Sequence, residues 1–405
     1  MSELDPPDRR AAAGMLVLAR VVYAFNWYNV GAVLPLIGRG LSANTVELGV
    51  VLGAFLVGAG VFQVPAGMVA LRWGYRRTSL FALGLMGTFC LASAASPDWI
   101  VLAVLRFGAG AGAAFFFAPA LGLVSSYYPA GARGPMIGIY NSGFSIGSGM
   151  GLFGGAVIGS LIGWPWALAV GGVALLAAGA AAALELPHFS DPASPPDWSE
   201  TWKTGRALLR SRNLWALSLG LAGLWTGFYA AGQYFVQYAD AVHPEWPIAL
   251  AAGIPTVMII TEVFGGPIGG WLAERHTDMR RMLVYWGLAA AAGISLIPFL
   301  PLADLWPLFV FLGFADGVVF AVLYLIPTYL PEGRGGNTAL ALGIINSVQL
   351  FAGSAFAVLF GAVASGINYT AAWGLVAALT AGFLPLIGLM AAPRPGLRPE
   401  LAVTV

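Results

Sequence analysis

The chain has 405 residues, of which 59% are hydrophobic and only 9% charged, with a formal net charge of +1. Soluble domains carry roughly 25% charged residues, so this composition excludes a protein that faces water on most of its surface. The near-neutral balance makes no case for a nucleic-acid partner. Cys90 is the single cysteine, which excludes an intramolecular disulfide and a cysteine-based metal site. His188, His243 and His276 are scattered without metal-ligand spacing, so neither a metal nor any other cofactor is expected.

A bilayer core takes about 20 apolar residues per helix. Measured that way, spans fall near 14–37, 46–70, 78–95, 99–124, 135–161 and 164–186. Six more follow near 212–239, 247–272, 282–302, 305–330, 338–366 and 369–392. The first stretch is too long for a signal-peptide core and no small-residue cleavage site follows it, so it is read as retained. The long polar stretch HFSDPASPPDWSETWKTGRALLRSR sits between the sixth and seventh spans. The expected organisation is an N-terminal segment (1–13), a six-helix bundle (14–186), a central loop (187–211), a second bundle (212–392) and a Pro-rich tail (393–405).

Basic residues then set the orientation. Arg9 and Arg10 precede the first span, Arg72, Arg76 and Arg77 follow the second, and Arg133 follows the fourth. Lys203, Arg206, Arg210 and Arg212 lie in or beside the central loop; Arg275, Arg280 and Arg281 follow the eighth span, Arg334 the tenth, Arg394 and Arg398 the last. All fall on one side if the spans alternate, and the opposite loops hold only Arg39. The positive-inside rule therefore expects both termini and the central loop in the cytoplasm, in a cytoplasmic membrane. An odd error in span count would scramble the segregation, which supports twelve.

The two halves repeat. GIYNS (138–142) opens the fifth span and GIINS (343–347) the eleventh; YYPAGAR (127–133) and YLPEGR (329–334) precede them. The copies point the same way across the membrane, which is a parallel repeat about an axis along the membrane normal.

With these residues in place, the chain resembles the major facilitator superfamily over nearly its whole length. GMVALRWGYRR resembles the family's Gly-x-x-x-Asp-Arg-x-Gly-Arg-Arg signature at Gly67, Arg72, Gly74, Arg76 and Arg77, and departs from it at Leu71, where the family has Asp. The second half carries GWLAERHTDMRR, with Glu274 and Arg275 in the acid-base positions. LAVLRFGAGAGAA resembles the family's Arg-x-x-x-Gly-x-Gly pattern at Arg106, Gly110 and Gly112. In GFSIGSGMGLFGG the antiporters' Gly-Pro pair is missing, but Gly143, Gly147, Gly151 and Gly155 recur every fourth residue and permit close helix contact. The resemblance implies an all-α membrane protein of twelve transmembrane helices in two parallel-repeat six-helix bundles. It also implies secondary transport by alternating access, without enzymatic activity, with the loop signatures as the conformational gating motif. A monomer is expected.

The chain itself is not expected to hydrolyse ATP, although an ATPase subunit on a separate chain stays open. Lys203 is its only lysine and is preceded by Trp202, so the Gly-Lys-Ser/Thr of a P-loop is absent and no nucleotide is expected. Four ionisable residues fall within the spans: Arg20, Arg106, Glu262 and Asp316. Each costs about 2.5–3.5 kcal/mol at a helix centre on insertion scales, which makes each a functional candidate. Asp316 and Glu262 are candidate proton carriers, against a structural hydrogen bond to a neighbouring Ser, Thr or Tyr. For Arg106, contact with an anionic substrate, proton coupling and structural support stand side by side. For Arg20, a cavity role stands against snorkelling to the interface.

The first span also carries Tyr23, Trp27 and Asn26, the seventh Gln233, Tyr234 and Gln237, and the matching repeat positions hold Asn141 and Asn346, with Gln349 one turn beyond. On the family template these are candidate substrate contacts; the competing reading is interhelical hydrogen bonding, worth about 0.6 kcal/mol on average. Phe115, Phe116 and Phe117 read as packing or lipid-facing. The expected substrate is a small organic anion, a carboxylate by preference, moved with protons through the lipid bilayer. Proton-driven efflux of amphipathic compounds is the alternative, and a non-transporting sensor or assembly factor on the same scaffold is the second.

Overall fold

The computed structural model describes residues 6–128, 130–187, 198–275, 278–330 and 338–390, and among them there is no strand. The N-terminal half contains α1 (Pro6–Ala32), α2 (Leu34–Leu41), α3 (Thr45–Trp73), α4 (Tyr75–Ser93), α5 (Trp99–Tyr127), α6 (Ala130–Ile162) and α7 (Trp164–Glu185). A connecting helix, α8 (Trp198–Leu208), precedes α9 (Arg212–Val242), α10 (Ile248–Arg275), α11 (Met279–Leu296), α12 (Leu302–Tyr329), α13 (Thr338–Gly366) and α14 (Tyr369–Phe383). Helices are what such apolar segments must form, because lipid offers no partner for a backbone N–H or C=O. Eleven are long and apolar enough to cross a membrane. The remaining span, α4, has 19 residues and opens on Arg76 and Arg77, which lowers its hydropathy.

The spans lie close to their expected places, with local differences. The first breaks at Val33, just ahead of Pro35, and resumes as α2. The ninth and twelfth end in 3-10 turns, Ile297–Phe299 and Leu384–Leu389, each led by a proline. The polar stretch between the halves includes the eleven residues of α8. Expectations resting on His188, His276, Arg334, Arg394 and Arg398 lie outside the described residues.

Polar side chains close the helix ends. Asn44 and Glu47 form a reciprocal capping box on α3, and Asp98 takes two backbone N–H groups of α5 at 2.9 Å. Asp278 caps α11; the Arg280 side chain beside it holds its carboxyl below the usual range. Gly74 joins α3 to α4 at φ 86°, buried, in a conformation only glycine enters without strain.

Glycines set the packing. The stripe at 143, 147, 151, 155 and 159 of α6 runs alongside α1, meeting Val17, Val21, Phe25, Asn29 and Val33 in turn, so these helices run parallel. Helices α3 and α5 meet backbone to backbone at Gly58 and Gly110, and α10 and α12 at Gly265, Gly313 and Gly317. The two pairs occupy equivalent positions in the two halves, which is the parallel repeat in three dimensions.

The halves join through α3 with α13, α6 with α10, and α1 with α9. Gly361 sits by the Thr45 carbonyl, Gly49 by Ala357, Gly53 by Ser354, and Gly149 by Thr256. These contacts all lie between the helix centres and the face opposite the termini. One buried core is shared there, combining Val30, Val33, Ile37, Leu48 and Leu52 with the second half's interior; the rest of the first half has its own core around Leu16, Tyr23, Leu83 and Phe116. Arg39 of α2 and Asp240 of α9 add an ion pair at 2.7 Å across the same end. Outside the bundle, Leu161, Leu184, Phe264, Phe299 and Ile367 stand exposed, as a surface wetted by lipid requires.

A Cβ at Gly147 would run into the Val21 carbonyl, whereas one at Gly138 meets nothing within 4 Å. Gly147→Val is therefore expected to destabilise the purified protein by about 1–3 kcal/mol or more, the ordinary cost of overpacking. Gly138→Ala should leave thermal unfolding in detergent unchanged.

Candidate functional site

Arg20, just past the middle of α1, does not snorkel. It is buried at 4% exposure, and four rings surround its guanidinium: Phe144 at 4.7 Å, Tyr23 at 4.9 Å, Phe117 at 5.1 Å and Tyr140 at 5.2 Å from their centroids. Cation–π contacts are worth about 0.5–2 kcal/mol each, enough to offset much of the cost of holding the charge in the bilayer. They do nothing for its N–H groups. Nε and Nη1 are buried without a hydrogen-bond partner, and no carboxylate pairs with Arg20 among the described residues.

Arg106 of α5 lies deeper still, at 1% exposure. It stacks on Phe55 at 4.4 Å, donates to the Asn26 carbonyl at 3.3 Å and approaches the Cys90 sulfur at 3.9 Å. Its place is inside the first half, behind Phe55, with Nε unpaired. The first half thus holds two buried cations without an acid partner.

The acids are in the other half. Glu262 of α10 and Asp316 of α12 come together because those helices touch at glycines: Gly317, next to Asp316, rests on the Glu262 carbonyl. Both carboxyls are half-buried at mid-helix and act on each other electrostatically. No hydrogen bond or ion pair engages either one among the described residues. Arg20 lies within Coulombic reach of Glu262, and Tyr28 within reach of both acids and of Tyr229. Aromatic contacts carry the connection across the halves: Phe144 to Tyr28 and Tyr28 to Tyr229, each at 6.4 Å, then Tyr229 stacked on Trp225 at 5.1 Å. Trp27, Tyr28, Phe117, Phe144 and Trp225 are all half-buried near the middle of the bundle.

The amides divide differently. Asn26 donates to the Val22 and Gly171 carbonyls, tying α1 to α7, and is fully buried. Gln233 donates to the Trp27 carbonyl at 2.9 Å, and Tyr234 to the Ala357 carbonyl at 2.9 Å. The first joins the halves and the second joins α9 to α13. Gln237 and Gln349 are buried, Asn346 is half-buried, and Asn141 is exposed, while its neighbour Tyr140 faces Arg20. Tyr23 forms one wall of the Arg20 cage and stacks on Phe116 at 5.0 Å.

In the loop signature, Arg76 donates to the Ala183 and Leu186 carbonyls and closes the end of α7. Arg72 and Arg77 are exposed, Gly67 has nothing within 4 Å of a Cβ, and Arg275 is exposed over the Trp271 ring at 4.0 Å. The Glu274 side chain lies outside the described residues.

Sequence reasoning passed over Tyr28, Phe144 and Tyr140, and placed Phe117 among packing or lipid-facing rings although it faces Arg20. One signal was available: Tyr140 and Phe144 are one helical turn apart on the face of the glycine stripe that meets α1. Among the described residues no group of His, Cys, Asp and Glu is arranged to hold a metal.

Residues 16–357 match the family model described as Major Facilitator Superfamily. A 4-hydroxybenzoate transporter of Pseudomonas aeruginosa is 31% identical over 144 residues, 36% of this chain and 32% of the relative. A gallate transporter of Pseudomonas putida is 30% identical over 166 residues, 40% of this chain and 37% of the relative. The chain thus spans about a third of the length of these curated relatives. The fold resembles that of a bacterial homologue of the human lysosomal transporter Spinster, in an inward-facing and unoccupied conformation, with TM-score 0.72 and 18% identity over 95% of this chain and 96% of that one.

The geometry separates tying residues from lining residues. Asn26→Ala is expected to lower stability by about 0.6–1.7 kcal/mol, the range of intramembrane side-chain hydrogen bonds. Tyr28→Phe removes a half-buried hydroxyl that has no hydrogen-bond partner among the described residues, and should leave thermal unfolding unchanged.

Proposed function

Starting from the fact that this chain belongs to the major facilitator superfamily of multi-pass membrane transporters, we propose that it carries a small organic carboxylate together with protons by alternating access. The observation that carries the reading is Arg20: a buried cation with unpaired donors, in an aromatic enclosure, within electrostatic reach of one carboxyl on the opposite half. A carboxylate matches the planar guanidinium fork in charge and geometry. Both relatives are named for carboxylic acids, which supports the same choice.

Charge neutrality supplies the coupling. In the empty site an ionised Glu262 supplies negative charge toward Arg20. An incoming carboxylate takes over that service, and Glu262, left without it in a low-dielectric setting, binds a proton instead. Anion and proton therefore bind cooperatively, and each raises the affinity for the other by the same factor. Asp316 stands beside Glu262 and shares the proton-carrying role; Arg106, enclosed behind Phe55, adds positive potential and braces α1. Tyr23, Trp27 and Tyr28 complete the walls, while Asn26, Gln233 and Tyr234 hold the helices that carry them.

The basic loops put the termini in the cytoplasm. With the halves joined at the opposite end, the site opens inward, the conformation named for the Spinster homologue. The loop signature at Gly67, Arg72, Gly74, Arg76, Arg77, Glu274 and Arg275 lies at the face that closes in the other state. A monomer suffices, since both halves of the site belong to one chain.

The test is accumulation of labelled 4-hydroxybenzoate by proteoliposomes, acid outside, against protein-free liposomes at the same pH gradient. Wild type should accumulate it above that baseline, Glu262→Gln should exchange it without gradient-driven accumulation, and Arg20→Gln should do neither. Uptake equal to the protein-free baseline across a panel of carboxylates would sink the reading.

A further inference from the structure

We propose that Glu262 and Asp316 also read the far end of the transported molecule, so that the site accepts a hydroxylated aromatic monocarboxylate and turns dicarboxylates away. This rests on the carboxylate reading of Arg20. The site has two unlike poles on two different halves. At one, Arg20 offers unpaired N–H donors and positive charge. At the other, two half-buried carboxyls on α10 and α12, brought together where Gly317 rests on the Glu262 carbonyl, present acceptor oxygens. Between them stand aromatic rings: Phe144 against Arg20 and Tyr28 against Phe144, with Tyr229 and Trp225 continuing the row onto the second half.

A ligand that spans this arrangement is described by what each part tolerates. The Arg20 end takes a carboxylate. The walls favour a flat ring, whose quadrupole allows offset or edge contact with the aromatic side chains. The acid end favours a hydrogen-bond donor. An ionised carboxylate accepts only, and a protonated one still accepts through its carbonyl oxygen. A hydroxyl is therefore satisfied in both protonation states of the pair. A second carboxylate on the ligand meets like charge unless both acids are protonated, and in a site removed from bulk water that repulsion is weakly screened. A ring with nothing polar at its far end leaves the two carboxyls unpaired when it displaces water from them.

Equilibrium titration of the purified full-length protein in detergent with 4-hydroxybenzoate, benzoate and terephthalate separates these cases. We expect 4-hydroxybenzoate to bind at least about tenfold tighter than benzoate, and terephthalate at least about a hundredfold weaker than 4-hydroxybenzoate, in line with discrimination by buried polar groups. Glu262→Gln and Asp316→Asn, singly and together, should narrow the gap between terephthalate and 4-hydroxybenzoate by about tenfold, as removal of a repulsive element does. Either single variant suffices if the other fails to fold. Equal affinity for the three acids, or variants that keep the wild-type gap between terephthalate and 4-hydroxybenzoate, overturns the selection while leaving the Arg20 anion site standing. No binding of any of the three to wild type, or Arg20→Gln binding as wild type does, overturns the carboxylate reading and this inference with it.

Discussion

Opposite charges in this bundle are kept on opposite halves. Arg20 and Arg106 lie in the first six spans and Glu262 and Asp316 in the second, and no ion pair within either half satisfies them among the described residues. Had Arg20 paired with an acid on its own half, the pair would be inert, since rocking of the halves would not disturb it. A charge whose nearest counter-charge sits across the moving boundary is sensitive to everything that happens there: ligand, proton and opening. The low-dielectric surroundings amplify that sensitivity, because weakly screened charges interact more strongly than the same groups in water. The aromatic cage makes the arrangement affordable to the fold. Rings stabilise the Arg20 cation while leaving Nε and Nη1 without partners, so the charge is tolerated and part of its hydrogen-bonding capacity stays free.

Glycine brings those groups into reach. Each close helix pair that positions the site, α1 with α6 and α10 with α12, is built on glycines that let backbone touch backbone. Without hydrophobic drive between helices in lipid, such approach is the main source of packing energy. The stripe of α6 faces α1 directly, so Phe144, one residue after Gly143, and Tyr140, one turn before Phe144, are carried to Arg20. The contact between Gly317 and the Glu262 carbonyl in turn sets the spacing of the two acids. Scaffold and chemistry are thus the same residues viewed at different scales.

This explains what was legible in the sequence. Span positions follow from hydropathy and length alone, which is why the expected 338–366 coincides with α13, Thr338–Gly366. The four buried ionisable residues were equally plain, because few others interrupt the apolar runs. Their partners were not. Periodicity places Asn26 and Trp27 on neighbouring faces of α1 but does not say that Asn26 turns to α7 and Trp27 to the rings of Phe55 and Phe144, since that depends on which helix packs where. Asn141 shows the limit most clearly. Its position in the repeat marked it for the interior, yet it is exposed, and the tyrosine beside it in the same motif faces the charge. A rotation of one residue, about 100° around a helix, separates a buried side chain from an exposed one, and single-sequence patterns do not resolve that angle.

Alternation demands that the two states lie close in energy, since a gap of about 5.5 kcal/mol already separates a 99:1 from a 1:99 population. Several features keep the closed end from being held too tightly. The Arg39–Asp240 pair that crosses it has side chains 57% and 25% exposed, and exposed pairs contribute about 0–1 kcal/mol. Gly49, Gly53 and Gly361 bring α3 and α13 together through backbone, so parting them exposes less apolar side chain than interlocked leucines would. The helices that meet there, α3 with α13 and α6 with α10, carry further glycines toward the termini face, at 67, 138, 266, 270 and 343, where an added Cβ meets nothing within 4 Å. Under the alternating access proposed above, these open positions leave room for the same helices to close in the other state, exchanging one set of small-residue contacts for another. The balance is then tipped by what the central charges bind.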